Sequence, residues 1–298
     1  MTGSPLDGHR STVVGAGSIG SRHRRVLEDL GSTVSVVSRR PEVGTHATIA
    51  EAVDATEPDY VVLATETERH LESIERLVDT GFRGRALLEK PAFDDVRPFP
   101  DLPFASVAVG YQLRFHPAVQ RLRDEIAGSR VLSAQVRYGQ HLPDWRPGRD
   151  YRSTVTAGPG GGVLLELSHE IDLVHWLLGA GTAVFGRTRR SGLLDIERED
   201  LAVGVIELDT GGLVGLELNA LDRRRNRTMT VTTADHFFHL DLVAGRLERD
   251  DEVLVPGPVE RDELFADLHL ATIAGAPGPC TPDEALEVLR TIRGLRST

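Results

Sequence analysis

The chain has almost no lysine. Lys and Arg together number 34, and Lys appears once, at position 90, so 34 − 1 = 33 are Arg. It has one cysteine, Cys280, which excludes an internal disulfide framework and fits a reducing compartment, so the cytoplasm is the expected location. Cys280 lies just before a helix signal, in GPCTPDEAL, and reads as incidental. No run of about 18 apolar residues is present, and no transmembrane helix is expected. The opening MTGSPLDGHR has no apolar segment of the secretory kind; residues 1–9 read as a loose tail. Acidic residues outnumber basic ones, 45 to 34, for a net charge of −11. That excess argues against general binding of nucleic acid or acidic membranes, though clustered arginines could still hold an anionic small molecule.

What is present fits two domains of ordinary size in 298 residues. Up to about residue 115, strand and helix signals alternate. STVVGAG, TVSVVS, DYVVLAT, RALLEKP and ASVAVGY read as strands. Ile19, Val26, Leu27 and Leu30 form a helical stripe closed by Gly31; Leu71, Ile74, Leu77 and Val78 form another, closed by Gly81. Strands separated by helices imply βαβ units and a parallel sheet. Beyond that point the pattern changes. HPAVQRLRDEI opens a helix, VLSAQVRYG is a strand, HLPDWRPGRDYR is an irregular loop, and a helix is expected over about 167–178. LAVGVIELDTGGLVGLELNA and TMTVTTADHFFHLDL read as hairpins, and TPDEALEVLRTIRGL as a last helix with Thr281 as N-cap and Pro282 at its first position. The expected fold is α/β: a Rossmann dinucleotide-binding domain over 1–115, then an α+β domain over 116–298 with a mostly antiparallel, open sheet.

VVGAGSIGSRH places Gly15, Gly17 and Gly20 in G-x-G-x-x-G, after a strand and opening a helix, the context in which the motif binds a dinucleotide. Gly15 allows a tight turn, Gly17 lets the backbone approach a pyrophosphate, and Gly20 lets helix and strand pack closely. Ser18 and Ile19 begin the helix whose free N–H groups face the phosphates. NAD usually meets an acidic residue at the end of the second strand. Here Ser38, Arg39 and Arg40 stand there instead, a hydroxyl and two guanidiniums suited to a 2′-phosphate, which favours NADP over NAD.

Five segments together resemble the glucose–fructose oxidoreductase / inositol dehydrogenase / MocA family: GAGSIGSRH, VVLATETERH, EKP at Glu89–Pro91, GYQLRFHPAV and GGGVLLELSHEIDLVHWLLG. The resemblance implies hydride transfer between nicotinamide and a carbon bearing a hydroxyl or keto group, usually on a sugar or cyclitol. It implies that Lys90 lies beside the nicotinamide and the reacting hydroxyl after a cis Lys–Pro bond, with Glu89 in the same motif. It implies nicotinamide-ribose contacts near Thr65, Thr67 and His70, and it matches His169 to the family's helix histidine. Many members carry an Asp four residues before that histidine. Position 165 is Leu here, and Glu166 is the substitute carboxylate. LPDWRPGRDYR with GGGVLLELSHEID resembles a branch found near bacterial surface-sugar biosynthesis. An open sheet in this family often mediates oligomerisation, so a homodimer or homotetramer is expected.

A ketone that accepts a hydride becomes an alkoxide that needs a proton. Lysine can exchange one near neutrality when its surroundings lower its pKa, histidine already can, and arginine cannot. Lys90 and His169 are thus the catalytic candidates, and the sequence leaves open which transfers the proton. Tyr111, Arg114, Trp145, Arg146, Arg149, Tyr151, Glu166 and Asp172 are the substrate-binding candidates; the Arg forks suit a phosphate, as on a nucleotide-activated sugar. Asp172 and Trp176 share a helix face with His169, opposite the apolar stripe Leu167, Ile171, Val174 and Leu178. His169, Asp172 and His175 lack a further spaced ligand, so no metal is expected. The expected function is an NADP-dependent sugar or cyclitol oxidoreductase. The alternatives are an NAD-assisted glycosidase or lyase with no net redox change, and a non-enzymatic NADP-binding sensor.

Overall fold

A computed structural model describes residues 3–145, 148, 150–154, 158 and 161–297. The chain forms two compact units: Met1–Phe93 with Arg97–Gln112 and Glu260–Leu286, and Asp94–Val96 with Leu113–Val259 and Glu287–Thr298. Among the described residues no helix is long and apolar enough to cross a membrane.

The first unit is built on a parallel sheet of β1 (Arg10–Val14), β2 (Thr33–Val37), β3 (Tyr60–Leu63), β4 (Arg85–Leu88) and β5 (Ser106–Val109), in the order β2-β1-β3-β4-β5. Helices α1 (Ser18–Asp29), α2 (Ile49–Thr56) and α3 (His70–Asp79) make the crossovers. β3 is buried at all four positions, as a strand covered on both faces must be. Next to β2, His46 makes a single parallel bridge to Val37, the vestige of one more strand. Gly31 and Gly81 follow α1 and α3 with φ of +96° and +76°. These are the left-handed helix ends that the sequence marks. The register is level at the carboxyl edge: Val14 pairs with Val37 and Leu63, Leu63 with Leu88, and Leu88 with Val109. Residues that follow the five strands therefore come out side by side. The segment expected as a loose tail is tied down, because Leu6 is buried and its N–H donates to Leu30 O. Helix α7 (Arg261–Ala274) returns to this unit from far along the chain.

The second unit carries an eight-stranded sheet in the order β13-β12-β11-β10-β6-β9-β8-β7. Its strands are β6 (Val131–Gly139), β7 (Gly181–Arg189), β8 (Leu201–Leu208), β9 (Leu213–Asn219), β10 (Asn226–Thr233), β11 (Phe237–Asp241), β12 (Arg246–Arg249) and β13 (Glu252–Pro256). Every pairing is antiparallel except β6 with β9. Both expected hairpins form, β8–β9 and β10–β11. On β9, Val214, Leu216 and Leu218 are buried while Gly215 and Glu217 are half-exposed, so one face lies on the core. Helix α4 (Pro117–Ile126) comes before this sheet. The helix expected over 167–178 forms as α6 (Ser168–Leu178), preceded by the short α5 (Val163–Glu166) with Leu167 between them. Helix α8 (Pro282–Ser297) opens on a reciprocal cap: Thr281 Oγ1 accepts the Glu284 N–H, and Glu284 accepts the Thr281 N–H.

Helix α4 is capped by a histidine. His116 Nδ1 accepts the Ala118 N–H at 3.1 Å, which requires an unprotonated nitrogen. Burial, with the nearby Arg227 charge, lowers its pKa to about 4. Between about pH 6.5 and about 4 the unfolded chain therefore takes up this proton and the folded chain does not. Stability from this group is complete above pH 6.5, and it is lost as pH falls through about 4, by about 3 kcal/mol at most. His116→Asn keeps a capping oxygen and removes the titration. Urea unfolding measured across that window is expected to show a shallower loss of stability in the variant than in the parent.

Candidate functional site

The level carboxyl edge of the parallel sheet gathers the first unit's candidates: Gly15 after β1, Ser38 after β2, Thr65 after β3, Glu89 and Lys90 after β4, and Tyr111 after β5. Ligands of such sheets bind outside this edge. The glycine loop has the shape its motif requires. Gly15 has φ +107°, and a Cβ on it would meet the Ala64 carbonyl oxygen at 2.4 Å. A Cβ on Gly20 would stand 2.0 Å from the Gly15 carbonyl oxygen, so α1 and the loop touch backbone to backbone. A Cβ on Gly17 would meet nothing within 4 Å: this glycine borders open space, as one that makes room for a pyrophosphate must. Gly17 is also the N-cap of α1, no side chain caps the helix, and its first turn holds no acid. The N–H groups around Ser18 and Ile19 thus suit a phosphate.

At the end of β2, Ser38 Oγ accepts the Arg40 N–H, and the Arg40 guanidinium donates to the Ala16 carbonyl oxygen. Arg40 therefore lies against the glycine loop, and Arg39 is exposed beside it. Thr65 Oγ1 lies 3.1 Å from Ser73 Oγ, and Thr67 begins a short 3₁₀ turn that leads into α3.

His70 sits differently from the expectation. It is 1% exposed, with Nδ1 at 3.1 and 3.0 Å from the Pro91 and Ala92 carbonyl oxygens and Nε2 at 3.1 Å from that of Thr65. Burial lowers its pKa against the pull of these carbonyls. Its ring nitrogens tie the β3 loop to the segment after Lys90 instead of facing a ligand. Lys90 is half-buried and is joined to Pro91 by a cis peptide bond. Glu89 is buried, accepts the Lys90 N–H on Oε2 at 3.2 Å, and faces His23 Nε2 with Oε1 at 2.9 Å. Sequence reasoning passed over His23. The one signal was its place in GAGSIGSRH, three residues after Gly20. Tyr111 is buried.

The second unit corrects two more expectations. Arg114 and Asp172 are partners. The guanidinium grips the carboxylate, with Nη2–Oδ1 at 2.6 Å and Nε at 3.1 Å from both oxygens, and the side chains are 2% and 1% exposed. Arg114 also lies over the Trp176 ring, with Arg123 stacked closer. Such a pair spends both charges internally, and removing one partner typically costs about 3–5 kcal/mol. The polar face expected on α6 is therefore buried at Asp172, while His169 and Glu166 are only half-buried. Between them, Ser168 and Glu170 are inside, and Glu170 accepts a hydrogen bond from Arg227. His175 Nε2 lies 2.8 Å from Thr291 Oγ1, and burial lowers its pKa. Trp145 Nε1–H donates to the Gln140 carbonyl, and the Tyr151 hydroxyl accepts the Asp195 N–H. Arg146 and Arg149 lie outside the described residues.

The glycine geometry gives a direct test. Gly17→Ala should leave the thermal midpoint unchanged, since its Cβ enters open space. It should weaken NAD(P)H binding about tenfold or more, measured by nicotinamide fluorescence, because that space is where a pyrophosphate would lie.

Residues 117–236 match the sequence model of the GFO/IDH/MocA C-terminal domain. The rhizopine catabolism protein MocA of Rhizobium meliloti is 26% identical over 190 residues, so the aligned stretch spans little more than half of the curated relative, 57% of either chain. Two solved structures share the fold along nearly the whole chain. UDP-N-acetylglucosamine 3-dehydrogenase GnnA from Acidithiobacillus ferrooxidans has a TM-score of 0.79 at 21% identity, over 97% of this chain and 96% of that one. GenD2 from gentamicin A biosynthesis, solved in complex with NAD, has a TM-score of 0.80 at 22% identity, over 100% and 97%. Residues 117–236 thus resemble that family's C-terminal domain, and the fold along nearly the whole chain is that of these solved structures.

Proposed function

We propose that the protein is an oxidoreductase that moves a hydride between a bound nicotinamide and a secondary alcohol or ketone of a sugar, cyclitol or nucleotide-activated sugar. The observation that carries this is the placement of the chain's single lysine. Lys90 leaves the same sheet edge as the glycine loop, two strands away from it. The GnnA likeness supports a nucleotide-linked sugar, since a UDP-sugar is the substrate its name states.

When bound, the nicotinamide would supply or accept the hydride. Residues 15–20 would hold its pyrophosphate through the α1 N-terminus. Lys90 polarises the reacting oxygen and moves the proton that the oxygen gains in reduction and loses in oxidation. A primary ammonium can give up that proton, and a guanidinium cannot. His169, half-buried at the start of α6, is the second proton carrier. Glu166, half-buried like it, is the carboxylate three residues before it. Arg114, Asp172 and Tyr111 shape the units from inside, and Trp145 and Tyr151 are the remaining described candidates for sugar contact. In this reading the first domain holds the cofactor, and the second holds the substrate and pairs copies of the chain through its open sheet as a homodimer or homotetramer. The single buried Cys280 suits a cytoplasmic setting.

Lys90→Arg should keep NAD(P)H affinity within about twofold and lose about 100-fold or more in turnover, the share of a positioned acid–base group. Near-full activity would move the proton to His169. Product formed with no change in reduced-nicotinamide absorbance would point instead to a glycosidase or lyase. For the cofactor we favour NADP, because Ser38, Arg39 and Arg40 offer a phosphate a hydroxyl and two cations where NAD meets a carboxylate. In a thermal-shift titration NADP should stabilise the protein at lower concentration than NAD; the reverse order would assign NAD.

A further inference from the structure

Two buried histidines of the first unit have no part in the assignment above. His23 lies on α1 and His269 on α7, and both are completely buried, as is Tyr60, the first residue of β3. With Glu89 they form one line. Tyr60 Oη lies 2.9 Å from His269 Nδ1, His269 Nε2 lies 3.0 Å from His23 Nδ1, and His23 Nε2 lies 2.9 Å from Glu89 Oε1. The aromatic rings meet edge to face, Tyr60 on His269 and His269 on His23.

Each link needs one proton and one lone pair, and a neutral imidazole offers one of each. Both ends of the line are fixed. A carboxylate only accepts, and Glu89 already accepts the Lys90 amide on its other oxygen, so His23 Nε2 carries a proton. At the far end, burial pushes the Tyr60 phenol well above its ordinary range, so it keeps its proton. With His23 neutral, its Nδ1 accepts from His269 Nε2–H, and a neutral His269 then takes the Tyr60 hydroxyl proton as a hydrogen bond on Nδ1. Burial keeps His269 uncharged. Its one N–H is then at Nε2, and it points to His23.

We infer that Tyr60 and His269 are positioning residues for Lys90: through His23 they form a one-way line of donors that fixes the Glu89 carboxylate on which the Lys90 amide hangs. This rests on the reading of Lys90 as the residue that handles the proton. The carboxylate packs closely on Gly110, where a Cβ would come within 2.7 Å of Glu89 Oε1. On the other side of Lys90, His70 holds the Pro91 and Ala92 carbonyls. The lysine is thus gripped through both neighbours. Without the Tyr60 hydroxyl, His269 Nδ1 would face the interior as a bare acceptor, an unfavourable state. Moving the proton to Nδ1 would leave a bare donor there and set two lone pairs face to face at His23, so the ring keeps Nε2–H and the line loses its anchor at Tyr60.

Nitrogen-15 NMR of histidine-labelled protein reads each tautomer directly. Near neutral pH, both His23 and His269 should be neutral with the proton on Nε2. In Tyr60→Phe both rings should keep Nε2–H, with the His269 Nδ1 resonance displaced by loss of its hydrogen bond, turnover down about tenfold and NAD(P)H affinity within about twofold. An Nδ1–H tautomer or an imidazolium at either ring of the unsubstituted protein overturns the inference. So does a Tyr60→Phe variant whose His269 Nδ1 resonance is unchanged, or one that turns over at the parental rate. The first measurement needs neither a folded variant nor a substrate. A failed donor line is therefore distinct from a failed oxidoreductase reading, which would show as absent NAD(P)H binding or full activity in Lys90→Arg.

Discussion

The alignment of the five parallel strands is the constraint from which the first unit's chemistry follows. Parallel strands in register end together, and here Val14, Val37, Leu63, Leu88 and Val109 end level. Each strand then releases one loop at the same edge, and each loop contributes one element: a glycine turn, a polar tip, a threonine, a lysine and a tyrosine. None of these residues needs its neighbour in sequence. The sheet sets their order in space, and side chains behind the edge set their orientation.

Those supporting side chains are mostly buried and mostly polar. Polar groups in an interior must satisfy one another, so each gives up freedom as it finds its partner. Arg114 and Asp172 do this as an ion pair in the second unit. His70 does it with three carbonyl oxygens in the first. Lys90 in the first unit and His169 and Glu166 in the second are each half-buried.

The parallel half of the fold was legible because its signals are local. Apolar runs of four or five residues, helical stripes and closing glycines all lie within a short window. The glycine loop and the E-K-P segment could be read for the same reason. What could not be read is long-range. Arg114 and Asp172 are 58 residues apart, and each alone looked like a ligand contact when it was the other's partner. His23 and His269 are 246 residues apart, and nothing near either marks the other. Helix α7 was missed because its buried face, Leu264, Phe265, Leu268, His269 and Thr272, mixes polar with apolar groups and blurs the stripe. The strands β7, β12 and β13 were missed toward the two ends of the second sheet, where exposed and half-exposed residues weaken the alternation.

The return of residues 260–286 to the first unit bears on how the chain is made. A ribosome delivers the five parallel strands early, yet α7, with its buried His269, and the Cys280 carbonyl that accepts the Val109 N–H at 2.8 Å come close to the end. The unit that begins first is therefore completed only after the whole of the second sheet has emerged. A fragment cut at residue 115 would hold the glycine loop and Lys90 but not the helix that His23 packs against. The piece that reads most clearly as a separate nucleotide-binding domain is, in the order of synthesis, the one that must wait.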